Sequence, residues 1–167
     1  MIAVIAVLVV TGVFLVTALC GAPYVPSRYE EVREAFANLK PLTREDVVVD
    51  FGCGDGVVLR AVASFKVKRA VGIELNPMLA VVARVRSRGD RRVKVVCGNM
   101  LSVKLPDDMT VAYVFGLDRV MKMLKPRLEK YARKQGRDVW VVSLAFGFVG
   151  MRPVKTWGAY GLYKIRA

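Results

Sequence analysis

Histidine is absent from all 167 residues of this chain. That absence excludes every histidine-based nucleophilic triad, general base and metal ligand. Cysteine is scarce. Cys20, Cys53 and Cys97 show neither a CxxC pair nor a zinc spacing, and their odd, scattered count points to a reducing compartment. Side-chain amides number four (Asn38, Asn76, Asn99 and Gln135), a scarcity that points toward a thermophilic source. Acidic residues are few, 14 against 27 Lys and Arg, for a formal charge of +13. Charge of either sign is missing from residues 1–27, and 17 of the first 20 side chains are apolar. A composition of 54% hydrophobic and 25% charged residues rules out disorder. The length allows one compact domain with an appendage, not a two-domain enzyme.

The uncharged run is long enough to matter. Twenty helical residues span roughly 30 Å, about the hydrocarbon thickness of a bilayer. A signal peptide normally opens with a basic region, which this run lacks, and a buried core helix is normally amphipathic. The reading is therefore a transmembrane anchor over residues 1–22, followed by a domain over 23–167. All basic residues follow the run, with Arg28, Arg33 and Lys40 close behind it. The positive-inside rule then predicts a single-pass protein whose domain faces the cytoplasm.

Beyond the anchor the pattern alternates. Ser27 to Glu30 reads as a capping box opening a helix to about Leu39, with Val32, Ala35, Phe36 and Leu39 on one face. Val47-Val48-Val49 is a fully apolar run, expected to be a buried parallel strand ending at Asp50. Helices are predicted from Val57 to about Phe65, from Asn76-Pro77 to about Arg88 with Gly89 as its cap, and over Asp118–Lys134, where Pro126 kinks or restarts the segment. Further strands are predicted at Ala70–Glu74, Val93–Cys97, Val111–Phe115 and Val139–Leu144, and a tail hairpin at Val154–Trp157 and Gly161–Ile165. The expected class is α/β, a doubly wound, mostly parallel sheet.

Asp50-Phe51-Gly52-Cys53-Gly54-Asp55-Gly56 lies between a buried strand and a helix, where open α/β sheets bind ligands. A dinucleotide fingerprint needs glycine where Val57 stands, and a phosphate loop needs a lysine that does not follow. Carboxylates at positions 50 and 55 repel pyrophosphate but suit a ligand carrying an amine and a sulfonium. Glu74 ends the next strand, where an acid accepts hydrogen bonds from ribose hydroxyls. The order D-x-G-x-G-x-G, strand, Glu resembles the S-adenosylmethionine (SAM) site of class I methyltransferases. A narrower resemblance covers most of residues 23–153. It rests on Pro23-Tyr24-Val25-Pro26, Val49–Gly56, Gly72-Ile73-Glu74-Leu75-Asn76-Pro77, Val114-Phe115-Gly116-Leu117, Met121, Leu124, Phe146, Phe148 and Pro153. Here the chain is similar to the small archaeal protein-lysine methyltransferases and to their relatives that methylate the c-subunit of ATP synthase. It departs from them at Met151, where the family carries Trp, and at Gly147 and Val149, where it carries proline.

The resemblance implies a Rossmann-like methyltransferase domain that binds SAM through Asp50, Gly52, Cys53, Gly54, Asp55, Gly56, Glu74, Leu75, Asn99 and Met100. It implies that Pro23–Pro26 is a flap bringing Tyr24 to the cofactor, the alternative for Tyr24 being an aromatic at a bilayer surface. Asn99 stands where this fold often reads the adenine amino group, or else simply forms a turn beside Gly98. Phe115 shapes the lysine channel or fills the core. The Asn/Asp-Pro-Pro-Tyr/Phe tetrapeptide of DNA adenine methyltransferases is missing. Arg84, Arg86, Arg88, Arg91, Arg92 and Lys94 complement a helix end, or else contact anionic lipid or RNA. The expected function is a membrane-anchored, SAM-dependent protein-lysine N-methyltransferase without a metal. Its partners are a protein substrate, including membrane proteins, and an anionic lipid surface, with nucleic acid less favoured. The alternatives are an rRNA or tRNA methyltransferase and a non-catalytic SAM-binding membrane protein.

Overall fold

The computed structural model describes residues 27–167, together with Val4, Thr11 and Gly12. The strands are β1 (Val47–Phe51), β2 (Arg69–Glu74), β3 (Val93–Cys97), β4 (Val111–Val114), β5 (Val139–Leu144), β6 (Lys155–Trp157) and β7 (Tyr160–Ile165), and the helices are α1 (Tyr29–Leu39), α2 (Val57–Ala63), α3 (Pro77–Ser87) and α4 (Asp118–Gln135). They build one sheet in the order β3-β2-β1-β4-β5-β7-β6. The first five strands are parallel, and β7 runs antiparallel between β5 and β6. The apolar runs of β1 and β4 are buried along their whole length, as central parallel strands covered on both faces must be. One core face packs Phe36, Leu59 and Tyr113, and the other packs Phe51, Met109 and Leu128. Chain order reverses between β1 and β4, so the glycine turn after β1 stands at the switch point.

The helices follow their apolar spacing, with exceptions at their ends. α1 buries the expected face of Val32, Ala35, Phe36 and Leu39. Its capping box does not form: Arg28 is the N-cap without a side-chain bond, and the Ser27 hydroxyl lies 3.3 Å from that of Tyr113. Asn76 caps α3 by accepting from the amides of Met78 (2.9 Å) and Leu79 (3.3 Å), with Pro77 in the first turn. α3 closes on Arg88, and Gly89 after it does not take the positive φ of a left-handed cap. α4 runs unbroken through Pro126, held by a buried stripe that includes Leu124, Leu128 and Tyr131.

The single-pass membrane expectation does not hold. Among the described residues no helix is long and apolar enough to cross a membrane. Even α4, at 18 residues, carries nine charged side chains. The run over residues 1–22, Val4, Thr11 and Gly12 apart, and the Pro23–Pro26 element with Tyr24 lie outside the described residues.

Candidate active site

Asp50 is the penultimate residue of β1, and its Oδ2 is buried without a hydrogen-bond partner among the described residues. Burial first, then the charges of Glu74 and Asp55, hold its carboxyl well above the usual carboxylate range. The chain then folds back on β2. The amides of Gly52 and Cys53 donate to the Ile73 carbonyl at 2.9 and 3.1 Å. Gly54 has φ +53, and its amide donates to Glu74 Oε2 at 2.8 Å. Gly56 has φ +81 and packs so close to α3 that an added Cβ would lie 3.2 Å from that of Ala83. Glycine supplies both the left-handed turn and the close approach.

Glu74 therefore has a second task that spacing alone did not reveal. Its Oε1 accepts from the Asn76 amide at 2.8 Å while Oε2 holds Gly54, so one carboxylate fixes both the turn and the entry to α3. Each oxygen keeps another lone pair for a ligand hydroxyl. Asp55 turns toward the helices: Oδ1 accepts from the Val57 amide at 3.2 Å, and Oδ2 pairs with Arg86 and, at 3.7 Å, with Arg60. Cys53 packs beneath β2, where an added Cβ on Gly72 would come within 2.5 Å of its Sγ. Burial, then the charges of Asp50 and Glu74, push that thiol far up. Leu75 is exposed, and Met100 is half-buried with its Cε 3.6 Å from where a Cβ on Gly52 would stand. Asn99 adopts the turn geometry, its Oδ1 accepting from the Leu101 amide at 2.8 Å.

The neighbouring strand ends carry aromatics. Phe115 follows β4 and Phe146 follows β5, and their half-buried rings stack at 6.5 Å between centroids with 28° between planes. Phe146 carries part of the family resemblance but is not among the expected site residues. Its signal is positional: it stands beyond β5 as Phe115 stands beyond the adjacent β4. The departure at Gly147 also has a physical reason, because any Cβ there would lie 2.5 Å from the Tyr163 hydroxyl. Of the basic cluster, Arg84 donates to the Val95 carbonyl, Arg86 pairs with Asp55 and Arg92 with Asp90, while Arg88, Arg91 and Lys94 are exposed.

This donor set suits SAM. A buried carboxylate oxygen without a partner is costly unless a cationic group meets it, and a glycine turn lets a ligand approach the backbone. The family model described as ANTKMT methyltransferase domain matches residues 50–155, from Asp50 to the start of β6. The chain belongs to this family. This ANTKMT-family chain is a SAM-dependent methyltransferase. It is 37% identical over 135 residues to a protein-lysine N-methyltransferase of Saccharolobus islandicus, covering 78% of this chain and 81% of that protein. It is 28% identical over 139 residues to the ATP synthase c-subunit lysine N-methyltransferase of Xenopus laevis, covering 81% of this chain but 58% of that protein. Among solved structures, an RNA methyltransferase from Salinibacter ruber in complex with S-adenosyl-L-homocysteine superposes with TM-score 0.75 at 24% identity, over 85% of this chain and 94% of that one. At that identity the likeness speaks for the class I methyltransferase fold.

Proposed function

We propose that this methyltransferase acts on lysine side chains of a protein substrate. The observation that carries the reading is Asp50, a buried carboxyl with one oxygen unpartnered among the described residues, at the switch point of a chain 37% identical to a protein-lysine N-methyltransferase. When bound, SAM supplies an electrophilic methyl group. In this reading Asp50 faces its cationic end, and Glu74 takes the ribose hydroxyls on the lone pairs that Gly54 and Asn76 leave free. Gly52 and Gly54 give backbone access, and Leu75, Asn99 and Met100 border the adenine. Cys53, Asp55 and Gly56 support the turn from behind through the contacts described above. Phe115 lines the approach of the acceptor, and Tyr24 is a further candidate contact.

Transfer of the methyl group needs a neutral amine aligned with the methyl carbon. The N–C bond forms as the S–C bond breaks, the electron pair stays on sulfur, and the amine's proton leaves to water. Positioning and desolvation do most of this work, consistent with a chain that has no histidine. Aromatic and apolar walls disfavour the charged ammonium and so favour the reactive form. Incubation with methyl-labelled SAM and whole-cell extract tests the reading. Label should enter protein. Label in RNA would favour a nucleic-acid methyltransferase, and binding without transfer would mark a SAM-binding protein.

A further inference from the structure

β5 ends in an uncommon backbone. Ala145 has φ +63, one of two non-glycine residues among those described with positive φ. The Phe146 amide donates to the Leu144 carbonyl at 2.8 Å, closing a γ-turn around Ala145. Alanine pays a steric cost there that glycine would not, so something must hold the turn. Two bonds do. The Ala145 amide donates to the Ala159 carbonyl at 2.8 Å, tying the turn to the β6–β7 connection, and the buried Ser143 hydroxyl donates to the Phe146 carbonyl. Downstream, Phe148 is fixed edge-on against Tyr163 at 5.3 Å, and Lys125 donates to the Val149 carbonyl at 3.1 Å. Phe146 is thus clamped on both sides of its own backbone, and its ring meets Phe115 across the ends of β4 and β5.

We propose that Ala145 and Ser143 are positioning residues that set Phe146 against Phe115 as the aromatic wall receiving the aliphatic stem of the methyl-accepting lysine. The inference rests on the lysine reading. Backbone strain held at the carboxyl edge of the sheet, two strands from the glycine turn, indicates a geometry kept for function. The two rings belong to opposite core faces, Phe115 packing with one and Phe146 with the other, so their contact above the sheet edge depends on this turn. An aromatic face suits an alkyl stem and, as methyl groups accumulate, a methylated ammonium.

The test uses the full chain and an acetylated peptide with one lysine flanked by aspartates. Phe146→Ala and Ala145→Val should raise the peptide KM about tenfold or more, and Ala145→Gly, which tolerates positive φ, should not. Ser143→Ala should shift KM in the same direction and carries the test if Ala145→Val does not fold. S-adenosylhomocysteine affinity by calorimetry should stay within about twofold for all variants, separating this role from general disruption. A peptide KM unmoved in Phe146→Ala, or a matching loss of S-adenosylhomocysteine affinity, would overturn the proposal. If wild type labels no lysine, the lysine reading falls instead. The turn is then judged by the nuclear Overhauser contact between the two phenylalanine rings. Its loss in Ala145→Val and retention in Ala145→Gly supports the positioning role, and survival in Ala145→Val overturns it.

Discussion

Asp50 is where folding and binding pull in opposite directions. Its carboxyl sits well above its ordinary value of 3.8, because burial and two neighbouring carboxylates oppose ionisation. The cofactor-free folded state therefore holds this proton longer than the unfolded chain does. Its contribution to stability is lost as pH rises from about 3.8 through the raised value. Asp50→Asn should stabilise the cofactor-free protein by about 1–3 kcal/mol at neutral pH and flatten that part of the pH dependence, as read from urea midpoints. The same variant should bind SAM at least about tenfold more weakly by calorimetry. Glu74→Ala should weaken SAM binding similarly but also lower the melting temperature, because it removes the carboxylate that accepts from the amides of Gly54 and Asn76. Arg92→Ala, whose side chain pairs locally with Asp90, should change neither. Asp50 and Glu74 were legible because motif spacing places residues at strand ends. The directions of the Asp55 and Cys53 side chains were not, since they depend on how α3 and β2 pack against the turn.

At the scale of elements, long apolar runs were the readable part. All seven strands lie where alternation of runs and turns put them, and the parallel sheet followed from their spacing. Helix ends were less readable. Ser27 faces Tyr113 instead of capping α1, and neither partner is near the other in sequence. The turn at Ala145 left no trace, because alanine carries no preference for positive φ. Close packing between elements has a direct check. Gly72→Ala would place a methyl group 2.5 Å from Cys53 Sγ and 2.6 Å from Leu59 Cδ1, and should cost about 1–3 kcal/mol in urea unfolding. Gly89→Ala meets nothing within 4 Å among the described residues and should leave stability almost unchanged.

Over the whole molecule the dominant feature is the formal charge of +13. A basic enzyme is approached more slowly by basic partners, so lysines in acidic surroundings should be the better acceptors. The ratio of initial rates for an aspartate-flanked over a lysine-flanked peptide should therefore exceed one at low salt and shrink as salt screens the charges. A ratio indifferent to salt would remove charge from the account of substrate choice. The most direct test of the central claim is the chemical identity of the methylated product. Extract protein labelled by the wild-type chain from methyl-labelled SAM is hydrolysed in acid, and its amino acids are separated. The account predicts label in mono-, di- or trimethyl-lysine, with Asp50→Asn giving far less. Label in methyl-arginine or released from a carboxyl ester would contradict it.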